Sequence, residues 1–322
     1  DLTGYGLSDN KDEPFRFKFP ENSTIQPGEY LLVYTGEYAP SDAKYQMKDY
    51  GVSANGETVY LSKTDGSVID YMNSGKQYPG MSSGRPQNSQ TASRVYFTTP
   101  TPGAANSSDI YQTYTQKPSF SVTSGYVSQG TKVAITSEEG AKIYYTTDGS
   151  KPTTKSTLYA GEITIDKTTP LRAIAVADGK LTSEVKTENY LVEDKHDIPV
   201  LCINSDPDGL FGYNNGIFAD GPGHTHNADD FPFTGANFFK LQDVEREISF
   251  EWFEADGTKG VEFPAGIKIF RQYSRAIDQK SFAVYLRSSY GQDQVTYPFF
   301  RDYDVTTFKT LVLRISGQDC NS

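Results

Sequence analysis

Cysteine is nearly absent, with Cys202 and Cys320 the only two in 322 residues. Two are too few for a disulfide framework, so each domain must hold itself together by an apolar core. The plain reading is a buried free thiol at Cys202, inside an apolar run, and an exposed terminal one at Cys320. No run of about 18 apolar residues occurs, which excludes a bilayer-spanning helix. Positive charge is short as well: 30 Lys and Arg stand against 41 Asp and Glu, a formal net charge of -11. Such a surface repels polyanions and argues against broad nucleic-acid binding, while leaving room for a local basic site. There is no G-x-S-x-G elbow, no H-E-x-x-H and no P-loop. No pair of carboxylates stands out among so many surface acids as glycosidase machinery.

What is present favours β structure. The chain carries 23 Tyr, 19 Phe and 28 Gly, together with abundant Thr and Ser, which suit pleated, half-buried surfaces. Asn55-Gly56, Asp65-Gly66, Asp148-Gly149, Asp178-Gly179 and Asp256-Gly257 each lie between apolar or alternating segments. A two-residue hairpin needs positive φ there, so five hairpins are expected. The length suits two or three domains. Two changes of texture, the Pro-rich Thr98 to Phe120 and the charged "VEDKHDIPV" at 192–200, place boundaries near residues 112 and 194. The chain opens at Asp1 in ordered-looking "DLTGYGLSDN", without an initiating Met or a signal peptide. This is the reading of a mature or truncated chain.

The first segment, 1–111, reads as strands at "GEYLLVY" (Gly28 to Tyr34) and "GETVYLSKTDGSVIDYM" (Gly56 to Met72). With "FPENSTIQPGEYLLVY" and the closing "TPTPGAAN" it resembles the lamin tail domain, an Ig-like β-sandwich, with the opening strand expected before Asp1. The second segment, 117–192, alternates in "LRAIAVA" (Leu171 to Ala177). Through "YYTTDGSKPT", "LYAGEITI" and "LRAIAVADGKLTSEV" it resembles the Ig-like module at the C-terminus of chitobiases and hexosaminidases. That resemblance implies an accessory sandwich without catalytic residues. Asp148 and Asp178 fit Asp-Gly turns rather than a calcium site.

The third segment, 197–322, opens on the apolar "IPVLCIN" and continues through "REISFEWFEADGTKGVEFPAGIKIF", a hairpin with Ile248, Phe250 and Trp252 on one face. Trp252, the single tryptophan, is expected in the core. Next comes "GIKIFRQYSRAIDQKSFAVYL", a basic island of Lys268, Arg271, Arg275 and Lys280 with Ser274 and Ser281. It reads either as a phosphate site or as the solvated turn of a hairpin. "IPVLCINSDPDGLF", "GIFAD", "EREISFEWFEADG", the island, "YPFF" and "FKTLVLRISGQD" together resemble the CotH kinase family. The resemblance implies the N-terminal part of an α+β atypical kinase-like domain that transfers the ATP γ-phosphoryl to protein Ser or Thr. It implies ATP and Mg2+ as cofactors of the complete domain, with neither bound by residues 1–322 alone. Arg275, Lys280, Ser274 and Ser281 become the candidate phosphate-binding residues, and the acidic metal-binding and catalytic residues are expected beyond Ser322. Phe270 to Tyr273 stand where the family often carries glycines, against a close backbone approach to phosphate. Asp319, the last carboxylate, has no assigned role.

"GPGHTHNADDFPF" (Gly221 to Phe233) brings His224 and His226 near Asp229 and Asp230, ligand types that suit a divalent cation. The spacing matches no strong metal motif, and the alternative is a solvated insertion loop. The expected architecture is mainly β and multidomain, two Ig-like sandwiches followed by a partial kinase-like domain. The expected protein is a bacterial secreted or cell-surface one that acts on a protein substrate. The alternative is a non-catalytic adhesion or scaffold protein binding glycan or a protein partner.

Overall fold

A computed structural model describes the chain except for residues 37–38, 49, 79, 88, 90–91, 272 and 316–322. Asp319, Cys320 and Gln272 therefore lie outside the described residues. The chain divides into two compact units, Asp1–Tyr114 and Thr115–Ser322, and both are dominated by strands.

In the first unit a four-stranded antiparallel sheet runs Phe17–Lys18, Gly6–Ser8, Thr58–Ser62, Val68–Asn73. A parallel pair, Tyr34–Thr35 with Gln46–Met47, and a three-stranded sheet from Ser82–Gly84 to Ile110–Tyr111 complete it. Phe19, Tyr45, Met47, Val95, Tyr96 and Phe97 are buried. Phe19 meets Phe17 at 5.0 Å and Tyr45 at 5.5 Å, both edge to face, the arrangement that ring quadrupoles favour. "GEYLLVY" does not form the expected strand. Only its last residue, Tyr34, enters one, and Tyr30 and Leu32 are left exposed without a ladder to join.

The second unit holds two five-stranded sheets. The first contains β1 (Gly125–Tyr126), β2 (Lys142–Thr146), β3 (Thr157–Leu158), β4 (Thr169–Val176) and β5 (Lys186–Leu191) in the order β1-β5-β4-β2-β3. Leu171, Ala173, Ala175 and Tyr190 of this sheet pack with Val133, Ile135 and Ile165 of the short pairs beside it. The second sheet is antiparallel and runs in sequence order: β6 (Val200–Asn204), β7 (Arg246–Phe253), β8 (Lys259–Ile269), β9 (Phe282–Tyr285), β10 (Thr310–Leu313). Ile248, Phe250, Phe263 and Val284 form its core under α1 (Pro207–Phe211). α2 (Asn237–Lys240) packs Phe238 against Ile269.

Positive φ is found at all five predicted turn glycines, Gly56, Gly66, Gly149, Gly179 and Gly257. Only Asp65-Gly66 and Asp256-Gly257 close tight hairpins, each with five residues between its paired strands. The loops at Asp148 and Asp178 are wider. Asn55-Gly56 turns the chain between strands belonging to different sheets. Positive φ is thus legible from the dipeptide, while the pairing depends on what the flanking strands meet. Trp252 is half-buried against the core, edge-on to Phe299 at 5.5 Å, and its indole N–H donates to Glu254 at 3.2 Å.

The two sheets of this unit meet through polar groups. Glu251 on β7 is 2 % exposed and Glu188 on β5 is 4 % exposed. Lys259 Nζ lies 2.8 Å from Glu251 and 3.8 Å from Glu188, and also pairs with Glu262. Lys186 Nζ is 2.6 Å from Glu188. Buried carboxylates are tolerable only when paired and hydrogen-bonded in this way.

Candidate functional site

The basic island forms the end of β8, a connection with a 3-10 turn at Tyr273–Ala276, and β9. Its four cations separate into different environments. Lys268 Nζ sits 3.8 Å from Glu245, a carboxylate that Arg287 grips with two hydrogen bonds of 2.8 and 2.7 Å. Lys268 is therefore part of a structural ion cluster. Arg271 has φ of +70° and leans its guanidinium on Phe270.

Arg275 and Lys280 are placed differently, on the two adjacent rings of α2. The Lys280 ammonium lies 4.4 Å from the centre of Phe238 and the Arg275 guanidinium 5.6 Å from that of Phe239. Lys280 donates to the Ile277 carbonyl at 2.9 Å, and its other two donors meet no partner among the described residues. Arg275 donates to Gln242. Burial pushes the pKa of both down, against the more distant attraction of Asp243 on Arg275 and of Asp220 and Asp278 on Lys280. Ser274 Oγ and Arg275 Nε are buried with no hydrogen-bond partner among the described residues. Desolvated cations beside orphaned donors gain from an anion, because it restores what burial removes. Ser281 is separate from this group: fully buried, its hydroxyl accepts the Ile315 amide at 3.1 Å.

The histidine loop closes on Phe238, the α2 ring that also seats Lys280. His224 packs 4.5 Å from Phe233 and 6.0 Å from Phe238, with His226 at 4.1 Å. Asp220, His224 and His226 bring their ligand atoms together, whereas the sequence pointed to Asp229 and Asp230. Those two lie on an exposed 3-10 turn, Ala228–Asp230. The signal that identifies Asp220 is its spacing, four residues before His224 and six before His226.

Elsewhere, the first unit carries two shallow clefts, one lined by Glu13, Phe15, Arg16 and Tyr50 and one that includes Tyr30, Leu32 and Lys44. Burial pushes the Cys202 thiol up to about 12, with Glu251 and Glu193 adding to the shift. No helix among the described residues is long and apolar enough to cross a membrane.

Comparison with known families supports two of the three segments. Residues 1–76 match a family model described as Lamin Tail Domain, and residues 122–187 match one described as Chitobiase/beta-hexosaminidase C-terminal domain. The chain is thus mainly β with two Ig-like family domains. No CotH match accompanies them, and no curated protein matches the chain.

Proposed function

We propose that these residues belong to a modular bacterial protein of the cell surface or exterior, in which two Ig-like modules carry and present a phosphate-binding third segment. That segment is read as the nucleotide-side part of a CotH-type kinase domain, on the ordered motifs from Ile198 to Asp319. The observation that carries the reading is the mounting of Arg275 and Lys280 on Phe239 and Phe238, with no carboxylate in contact among the described residues. An Arg fork and a Lys point charge are complementary phosphate ligands. With ATP bound, Arg275, Lys280 and the Ser274 hydroxyl would hold and neutralise phosphate oxygens, and magnesium would supply the remaining charge stabilisation that phosphoryl transfer needs. The cations bind and orient; they do not by themselves transfer the phosphoryl group.

A scaffold role without turnover is the second reading. It is favoured by the two matched modules and by the exposed Tyr30 and Leu32 beside a shallow cleft, apolar surface suited to a glycan or protein partner. Calorimetric titration of the full-length protein with ATP and MgCl2 separates the two. Saturable binding supports the kinase-like reading, and a flat titration sinks it in favour of the scaffold.

A further inference from the structure

The geometry points to a second site, one that binds a borderline divalent cation of the zinc class through Asp220, His224 and His226. Their ligand atoms all lie within 4.8 Å of one another, and His224 Nε2 is 3.9 Å from Asp220 Oδ1. Ligands of a tetrahedral zinc stand about 3.3 Å apart at its usual bond lengths of about 2.0–2.2 Å.

A Gly/Pro loop is a poor ligand frame unless something fixes it, and here α2 does. A Cβ at Gly221, where φ is +75°, would stand 2.2 Å from the Asn237 side chain, and one at Gly223 would stand 2.2 Å from the Gly235 carbonyl. The Asn237 amide donates to the Asp220 carbonyl at 2.9 Å. The loop backbone is thereby locked onto α2 and onto residue 235. The His224 side chain, 8 % exposed, is held between Phe233 and His226. His226 keeps a φ of +55°, a conformation a non-glycine residue holds only where its surroundings impose it. One imidazole is held in place, a second stands beside it, and an exposed carboxylate faces them.

The His226 amide donates to His224 Nδ1 at 2.8 Å, an arrangement in which a neutral ring carries its proton on Nε2. Ligation through Nε2 requires the ring proton on Nδ1, so the His226 N–H changes partner. Two imidazoles and one carboxylate leave a fourth position of a zinc ion to water, the pattern of an open rather than a structural site. The site stands whether or not Lys280 takes phosphate.

The test is titration of the full chain, without a polyhistidine tag, with ZnCl2 by calorimetry and with CoCl2 by visible absorption. One equivalent should bind, with the intense bands of four-coordinate cobalt. Asp220→Asn and His226→Ala, both at exposed positions, should each weaken zinc by at least the roughly 10–100-fold that loss of even an outer partner costs. His224→Gln should do the same. Absence of zinc binding, or binding that Asp220→Asn and His226→Ala leave unchanged, overturns the site.

Discussion

The Asn189 side-chain amide donates to Glu251 Oε2 at 2.6 Å, joining β5 of the Ig-like module to β7 of the following sheet with both residues buried. Around this bond Lys259 and Lys186 neutralise Glu251 and Glu188. The two sheets of the second unit are therefore held by a directional polar network, which fixes their register more tightly than an apolar contact does.

Removing Glu251 leaves Lys259 without its closest buried partner. Glu251→Ala should cost on the order of 2–4 kcal/mol, somewhat below the usual loss for a broken buried pair because Lys259 is partly exposed and keeps Glu262. Urea unfolding followed by Trp252 fluorescence reads this unit selectively, since Trp252 is the only tryptophan and neighbours Glu251 in β7. A loss under about 0.5 kcal/mol, typical of surface positions, would show that the network does not hold the sheets together.

The same network sets a pH window. Burial pushes Glu188 up, but Lys186 and Ser124 outweigh it and leave its carboxyl below the ordinary value. A depressed folded value gives stability that is present above the unfolded pKa of about 4.3 and lost as pH falls. Lys259 moves the other way: burial opposes its charge, yet Glu251 and Glu262 raise it. Its contribution is complete below about 10.4 and fades as pH rises through the folded value. The unfolding midpoint should be flat between these limits and fall on both sides, and Lys259→Met should remove the alkaline fall. An alkaline limb of equal size in that variant would assign the fall to other groups.

Lys280→Met keeps the aliphatic stem over Phe238 and removes the charge. If the ammonium meets phosphate, ATP affinity of the full-length protein should fall about 10–100-fold, the size of a charge-assisted hydrogen bond of about 1.5–3 kcal/mol. The melting temperature should hold or rise, because a desolvated cation is gone. A large drop in melting temperature with unchanged affinity would make Lys280 structural.

Cys202, with its thiol at about 12, should be inert to Ellman's reagent at pH 8. In a Cys320→Ser variant the native chain should release no thionitrobenzoate until urea unfolds it. Rapid native labelling would contradict the packing of β6.

Much of the β architecture was legible. Asp65-Gly66 and Asp256-Gly257 announce their hairpins through local backbone chemistry, and Leu171, Ala173 and Ala175 announce one face of β4. The opposite faces were not. Arg172 and Ile174 are as buried as their neighbours, and Glu251 and Phe253 are buried on the side of β7 away from Ile248. On β7 this face is covered by sequence far from it: Glu251 by Asn189, while Gly125 lies so near Phe253 that a Cβ there would stand 4.0 Å from the ring. Alternation within one strand carries no information about such cover. At the candidate site a motif singles out Arg275 and Lys280, but it gives no sign of α2, whose rings seat those two cations and whose Phe238 also meets His224. Four residues give too little periodicity to read as a helix.

An acyl-phosphate derivative of ATP, which acylates the lysine beside the phosphates, tests in the full-length protein whether Lys280 faces the phosphates of a nucleotide. Peptide mapping should find Lys280 modified, and excess ATP with magnesium should suppress that modification while sparing surface lysines such as Lys132. Lys280 left unmodified, or modified equally with and without ATP, would contradict the account.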